Sequence, residues 1–171
     1  SFGSADDSYA FRMMDIFKKS EINFISCPTE NVYLQGRQDT YPKRRGLTRV
    51  KEFIEYGINV AFAQDSINDP WYPMGNGNMM NILDNGIHLA QIMSSDDVKT
   101  NFDLITYNGA RCMNIQDSYG LEVGKAANFI VLNEDSVYEA IRKRVDVLAS
   151  VRNGDFLFRR KEMAYSIPLS L

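Results

Sequence analysis

The sequence is poor in the residues that most often build metal and redox sites. Its 171 residues include one histidine, His88, and two cysteines, Cys27 and Cys112. One histidine cannot supply a multi-histidine metal site, and the cysteines lie too far apart for a zinc knuckle or a CxxC redox pair. Two thiols without a recognisable signal peptide are typical of a reducing compartment, so we expect a cytoplasmic protein.

Long apolar runs and an excess of positive charge are also lacking. The longest apolar segments, such as residues 129–132 (FIVL), are far shorter than the ~20 residues of a membrane-spanning helix. The 19 basic and 22 acidic residues give a net charge of −3, which argues against a nucleic-acid partner. With 44% hydrophobic and 12% aromatic residues and neither a collagen nor a heptad repeat, the composition predicts a globular fold.

The first two thirds of the chain alternate between helical and strand patterns. Apolar spacing predicts helices over residues 9–19, 49–56, 78–93, 97–107 and 110–114, and strands over residues 22–27 and 58–63. Thr48 and Asn78 are candidate N-caps, and residues 29–46 are expected to form a long polar loop. This order is typical of a parallel α/β layout, but two short parallel strands are not stable alone. We therefore expect neighbouring strands beyond this sequence, and Ser1 to mark a boundary rather than a translation start.

The last third has a different pattern. Strands are predicted over residues 128–132, 148–152 and 155–158, with a short helix over residues 137–143. The pair Asn153-Gly154 is typical of a two-residue hairpin turn between the last two strands. This part is expected to form a small, mostly β appendage.

Asp65 is the strongest candidate for a catalytic residue. It follows the apolar segment 58–63 and opens a loop, which places it at the carboxyl end of a predicted strand. In α/β barrels this end carries the active site, where a carboxylate can bind a metal ion and accept a proton. The alternative is a loop aspartate that only stabilises a turn.

Two further side chains are candidates for substrate contacts. Trp71 lies in the loop after Asp65 and could stack on a flat heterocycle, or it could anchor the loop on the rim of the fold. Gln35 lies in the loop after the other strand and could line the same mouth, or it could form hydrogen bonds that stabilise its own loop. From position alone, neither pair of alternatives is decided.

Several longer segments closely resemble the bacterial cytosine deaminase-like branch of the amidohydrolase superfamily. They are residues 31–37 (NVYLQGR), 39–46 (DTYPKRRG), 48–52 (TRVKE), 57–65, 69–73 (DPWYP), 108–111 (NGAR), 119–125 (YGLEVGK) and 128–132 (NFIVL). PKRRG and DPWYP are specific to this branch, whereas the last three segments are typical of the whole superfamily. The resemblance covers roughly residues 9–158, which is nearly the whole chain.

The resemblance implies an α/β fold made of the last strands and helices of a (β/α)8 TIM barrel plus part of a C-terminal β-sandwich. Residues 1–117 would be the C-terminal part of the barrel, and residues 118–171 would be part of the sandwich and a tail. The N-terminal part of the barrel would be missing from this chain. By the same resemblance, the completed protein is expected to be a homo-oligomer.

The resemblance also implies a reaction, namely hydrolytic deamination of a nitrogen heterocycle such as cytosine, with release of ammonia. One divalent ion, Fe or Zn, would serve as cofactor. Asp65 matches the aspartate that binds the metal and relays the proton, and Trp71 matches the tryptophan that lines the pyrimidine pocket. Ser66 stands where the cytosine enzyme has a second aspartate facing the substrate, and Gln35 matches a position in the preceding loop.

Departures from the family pattern leave alternatives open. The paired histidines, the later metal histidine, the catalytic glutamate and the water-orienting histidine of the family would all precede Ser1, so we expect this chain alone to be inactive. Gln64 stands where the cytosine enzyme has histidine. Together with Ser66, this difference makes creatinine, isocytosine and an aminotriazine alternative candidate substrates. A second interpretation is a non-catalytic remnant with a structural or interaction role.

Overall fold

The computed structural model describes residues 2–94 and 96–161. The helices are α1 (Asp7–Lys19), α2 (Pro28–Leu34), α3 (Val50–Glu55), α4 (Met79–Ala90), α5 (Asp97–Asn101), α6 (Tyr107–Cys112) and α7 (Val137–Lys143). The strands are β1 (Phe24–Ser26), β2 (Val60–Phe62), β3 (Phe129–Leu132), β4 (Val147–Arg152) and β5 (Asp155–Arg159). Short 3-10 turns lie at Phe2–Ser4 and Phe102–Ile105. The predicted tail, residues 162–171, lies outside the described residues.

Strands β1 and β2 form a two-stranded parallel sheet, as the alternation of helices and strands predicted. Phe24 pairs with Val60 and Ser26 pairs with Phe62, so the two strands end side by side. Helix α1 precedes β1 and helix α3 precedes β2, which gives two successive helix–strand units. The loops that follow both strands therefore leave the sheet at the same edge.

Aromatic side chains fill the core beneath this sheet. Phe53 of α3 is fully buried and stacks on Phe24 of β1, with ring centroids 4.4 Å apart. Phe17 of α1 packs against the other side of Phe24, with centroids 5.0 Å apart. On the β2 side, Phe62 packs against α4 at Gly86, where a Cβ atom would lie only 2.4 Å from the ring. The small residue thus allows α4 to approach the end of β2.

The C-terminal strands form a separate antiparallel sheet in the order β3-β4-β5. Arg152 pairs with Asp155 across the predicted Asn153-Gly154 turn, and both turn residues have positive φ, at 52° and 88°. Positive φ at both positions is the geometry of a type I′ hairpin, so this prediction is confirmed. Helix α7 connects this sheet to the rest of the chain, because Ala140 and Ile141 belong to the main hydrophobic core.

Three local predictions are wrong. Residues 29–34, predicted as part of a long loop, belong to α2, because Pro28 occupies the first helical turn, where its fixed φ suits a helix. Thr48 does not cap α3; Arg49 is the N-cap, and the Thr48 carbonyl accepts from Val50 N–H. The single helix predicted over residues 97–107 is divided into α5, a 3-10 turn and the start of α6. By contrast, the Asn78 side chain caps α4 at Met80 N–H, as predicted.

Two further observations concern the state of the cysteines and the search for a membrane-spanning helix. Cys27 and Cys112 are both free thiols. Among residues 2–94 and 96–161, no helix has both the length and the apolarity needed to cross a lipid bilayer.

The close approach of α4 to β2 leads to a stability prediction. Replacing Gly86 with alanine brings a methyl group into steric overlap with the Phe62 ring. We therefore expect the free energy of unfolding to fall by ~1–3 kcal/mol, although alanine has the better helix propensity. Urea denaturation measures this change. The matched control is Gly109→Ala in α6, where an added Cβ meets no atom within 4 Å, and we expect a gain of ~0.5–1 kcal/mol. Equal effects of the two substitutions would contradict the packing argument.

Candidate functional site

The loop that follows β2 carries Asp65 at the common edge of the parallel strands. Asp65 is exposed and has a left-handed backbone with φ of 67°, a region that aspartate tolerates better than most residues. The loop is held from one side by the segment before α4. Gln64 is buried and its Oε1 accepts from Gly77 N–H at 3.4 Å, while Gly75 packs so closely that a Cβ atom would lie 2.1 Å from the Ser66 carbonyl oxygen.

Cys27, the first residue after β1, is a direct neighbour of Asp65. Its thiol hydrogen-bonds to the Asp65 carboxylate. Burial is the main cause that raises the pKa of the Cys27 thiol to about 11, with the negative charges of Asp65 and Glu30 acting in the same direction. The thiol is therefore protonated at neutral pH, and it is a hydrogen-bond donor to Asp65 rather than a nucleophile.

Glu30 lies in the first turn of α2 and holds the loop after β2 from the other side. It is only 5% exposed. Its Oε2 accepts from Ser66 N–H at 2.8 Å, and its Oε1 accepts from the Ser66 hydroxyl at 3.0 Å. A buried carboxylate is costly unless its oxygens accept hydrogen bonds, and here one residue of the neighbouring loop satisfies both.

The turn that carries Trp71 is organised around Asp69. Its Oδ1 accepts from the backbone N–H groups of Trp71 and Tyr72, both at 2.9 Å, and the Ser66 side chain lies beside the Asp69 carboxyl. The Tyr72 backbone contributes most, and together these donors hold the pKa of the Asp69 carboxyl below its usual range. The turn presents the Trp71 ring at the surface, 66% exposed, where a flat ligand could reach it.

Gln35 occupies a different place from the other candidate residues. It is half-buried at the C-terminal end of α2, and its backbone N–H donates to the Asn31 carbonyl. It lies five positions after Glu30, roughly 7.5 Å farther along the helix axis. One loop and its hydrogen bonds link Asp65, Ser66 and Trp71, and among the described hydrogen bonds the Gln35 side chain takes no part in this linkage.

The described residues do not form a complete metal site at this edge. No group of three or more histidine, cysteine, aspartate or glutamate side chains is arranged around a common point in residues 2–94 and 96–161. His88 lies on α4, with Nδ1 2.7 Å from the Asp84 carbonyl oxygen. Since a stable metal site needs several ligands, Asp65 alone does not hold an ion in this part of the chain.

Polar atoms without partners gather at the ends of the two strands. Ser26 Oγ, Thr29 Oγ1 and Gln64 Nε2 are buried and form no hydrogen bond within the part of the chain that the structure describes. Buried polar groups in native proteins are nearly always hydrogen-bonded. Three buried polar atoms near Asp65 thus have hydrogen-bonding capacity that the described residues do not use.

Sequence analysis did not identify Cys27 or Glu30 as members of this site. Glu30 falls in the segment 29–46 that was predicted as a polar loop, where a single acidic residue gives no distinct signal. Cys27 ends an apolar segment before a proline, a pattern that indicates only the end of a strand. Both residues become part of the site through strand pairing, which a local pattern does not reveal.

Comparison with known proteins gives the family of the chain. The model of the Amidohydrolase family matches residues 4–158. A curated relative is N-isopropylammelide isopropyl amidohydrolase from Pseudomonas sp. strain ADP, which is 29% identical over 158 residues, or 92% of this chain and 36% of that protein. Pterin deaminase from Rhizobium rhizogenes strain K84 is 24% identical over 160 residues, again 36% of its length.

Solved structures agree with this result. The chain superposes on 5-methylcytosine deaminase from Klebsiella pneumoniae liganded with 5-fluorocytosine, with a TM-score of 0.94 and 47% identity over 99% of this chain and 41% of that chain. This confirms the resemblance to the cytosine deaminase-like branch that the PKRRG and DPWYP motifs predicted. This chain spans about two fifths of that structure and 36% of the curated relatives. The family match over residues 4–158, together with the α/β fold, shows that the chain belongs to the amidohydrolase family.

Proposed function

We propose that this chain is the C-terminal portion of a metal-dependent amidohydrolase that hydrolytically deaminates a nitrogen heterocycle such as cytosine. The observation that carries the proposal is the position of Asp65 at the carboxyl end of β2, in a chain 47% identical to 5-methylcytosine deaminase. Because the chain spans only 41% of that structure, the activity belongs to the completed protein. By completed protein we mean this chain together with the remaining part of the barrel, in one polypeptide or as two chains.

Features of the parallel sheet support the proposal that further barrel strands complete it. Strand β1 pairs with β2 alone among the described strands, and its Ile25 is 60% exposed. An apolar side chain in a parallel strand is normally covered, because such sheets are buried on both faces. We assign residues 1–117 to the C-terminal part of a (β/α)8 barrel and residues 118–171 to a β-sandwich with its tail. Further strands would cover Ile25 and supply partners for the buried polar atoms of Ser26, Thr29 and Gln64.

Asp65 is the residue of this chain that would hold the metal and move the proton. Its carboxylate is exposed at the mouth of the sheet, and carboxylate oxygen is a common ligand of both Fe and Zn. The ion would lower the pKa of a bound water, so that water can attack the ring carbon that bears the amine. Of the two protons of that water, an Asp65 carboxylate oxygen would accept one and pass it to the departing amine, while the other would end on the adjacent ring nitrogen. The C–N bond to the amine would then break, so that ammonia leaves and a carbonyl remains on the ring.

Trp71, Ser66 and Gln35 are assigned to the substrate. The exposed Trp71 ring would stack on the heterocycle and exclude water from one face of it. Ser66 adjoins Asp65, and while its hydroxyl donates to Glu30, its backbone and Cβ would line the pocket beside the part of the ring nearest the metal. Gln35, at the end of α2, would lie farther out at the rim of the mouth.

Aminotriazines are a second candidate class of substrate, beside the pyrimidines. The 29% identity to N-isopropylammelide isopropyl amidohydrolase favours testing an aminotriazine beside the pyrimidines. An assay of ammonia release from cytosine, 5-methylcytosine, isocytosine, creatinine and an aminotriazine would rank the substrates by kcat/KM. No turnover of any of them by the completed protein would favour the non-catalytic alternative.

The role of Asp65 leads to a first prediction about activity. Asp65→Asn keeps the size of the side chain but removes the negative charge and the proton acceptor. We expect kcat for ammonia release to fall by about 10²- to 10⁴-fold, and the bound metal per chain to decrease. Asp117→Asn is the control, because Asp117 is an exposed aspartate in the segment after α6. Unchanged kcat in the Asp65 variant would remove Asp65 from the mechanism.

A second prediction concerns Trp71. Because its ring is 66% exposed, Trp71→Ala should leave the free energy of unfolding nearly unchanged. Loss of stacking is expected to raise KM for the heterocycle about tenfold with a smaller effect on kcat, while Trp71→Phe retains most of the affinity. Tyr41→Ala is the control, since Tyr41 is an 88% exposed aromatic of another loop. Steady-state kinetics measures both constants, and an unchanged KM in Trp71→Ala would contradict the assignment.

A third prediction separates this chain from the completed protein. Residues 1–171 produced alone should bind less than one metal ion per chain and release no ammonia from any of the heterocycles, because a site needs several ligands. The completed protein should do both. Metal analysis by plasma mass spectrometry and the ammonia assay test this, with intact mass confirming which polypeptide is present. Turnover by the isolated chain would overturn the assignment of the missing ligands.

A further inference from the structure

Glu30 has a buried carboxylate that accepts two hydrogen bonds, and the proposed reaction does not use this carboxylate directly. Its carboxylate is 5% exposed, although it lies beside a polar edge of the molecule. Both carboxylate oxygens are engaged by the same residue, Ser66, which lies 36 positions farther along the chain. Removing a carboxylate from water for these two bonds is costly, so the contact restrains the Ser66 backbone and side chain together.

Ser66 transmits this restraint in two directions. On one side it is the next residue after Asp65, so the peptide that Glu30 holds through Ser66 N–H is the one that joins these two residues. On the other side the Ser66 hydroxyl, whose proton goes to Glu30, lies beside the Asp69 carboxyl, and Asp69 Oδ1 accepts from Trp71 N–H. The buried carboxylate is therefore connected to both the proposed metal ligand and the proposed stacking residue.

We propose that Glu30 is a positioning residue that fixes Asp65 and Trp71 relative to each other through Ser66 and Asp69. This inference rests on the proposed function, since it assigns Glu30 to the same site. The loop after β2 has close backbone packing against Gly75 on its other side, so Glu30 completes its support. Catalytic groups must be held within a fraction of an ångström of their productive geometry, and hydrogen bonds from buried partners supply that restraint.

The test is a set of substitutions at both ends of the contact, made in the completed protein. Glu30→Met removes both acceptors at similar side-chain length, and we expect kcat/KM to fall roughly 10- to 100-fold. Because Asp65 and Trp71 both move, kcat should decrease and KM should increase. Glu30→Gln keeps one acceptor oxygen and should retain an intermediate activity. Ser66→Ala removes only the hydroxyl contact, so a loss of roughly 3- to 10-fold is expected.

Coupling between the two residues distinguishes positioning from a general loss of stability. If Glu30 acts through Ser66, the double variant Glu30→Met/Ser66→Ala should be no worse than Glu30→Met alone. Multiplied losses in the double variant would overturn the proposal. The matched control is Asp84→Asn, because Asp84 is a carboxylate 8% exposed that pairs with Arg144 at 2.8 Å, next to α7. It should lower stability without changing kcat/KM.

A readout without turnover keeps this inference separable from the proposed function. Trp71 is the one tryptophan among these 171 residues, and its emission is obtained by subtracting the spectrum of the corresponding Trp71→Phe protein. Glu30→Met and Ser66→Ala should change this emission, whereas Asp84→Asn should not. An inactive wild-type protein with these emission changes would contradict the proposed function and retain the positioning role. An active wild type whose Glu30→Met variant keeps both its activity and its emission would overturn the positioning role alone.

Discussion

The parallel pairing of β1 with β2 determines where the polar loops of this chain meet. Ser26 and Phe62 are register partners at the ends of the two strands, so each strand delivers its following loop to the same edge. Phe24 and Phe53 stack beneath the sheet and hold the strands in this register. Without that register, Cys27 and Asp65, which lie 38 positions apart in sequence, would have no reason to be neighbours.

The polar edge is organised by the need of buried groups for partners. Glu30 is stable in a buried position because Ser66 offers two donors, and the resulting contact ties α2 to the loop after β2. Asp69 repeats this principle at the surface, where backbone donors shape the turn that carries Trp71. The buried side-chain atoms of Ser26, Thr29 and Gln64 have no such partners within residues 2–94 and 96–161, which is why the same edge also supports the proposal of a larger barrel.

Features with a local physical cause were predictable from the sequence. Asn78 caps α4 because its side chain reaches an N–H two residues away, and Asn153-Gly154 forms a hairpin because both residues adopt positive φ readily. The exposed position of Asp65 after an apolar strand follows from the same kind of reasoning. Where the pattern was ambiguous, prediction was wrong: Pro28 ends a strand and also begins a helix, and only the second role turns residues 28–34 into α2.

The sequence by itself determined the family motifs, the order of helices and strands, and Asp65 and Trp71 as the residues of interest. Tertiary structure decided which of the candidates are connected. Glu30, in the first turn of α2, contacts Ser66 directly, whereas among the described hydrogen bonds the Gln35 side chain, at the end of that helix, forms none with this loop. The physical reason is that a hydrogen bond between residues 36 positions apart depends on strand register and helix packing. Neither of these can be deduced from a short segment of sequence.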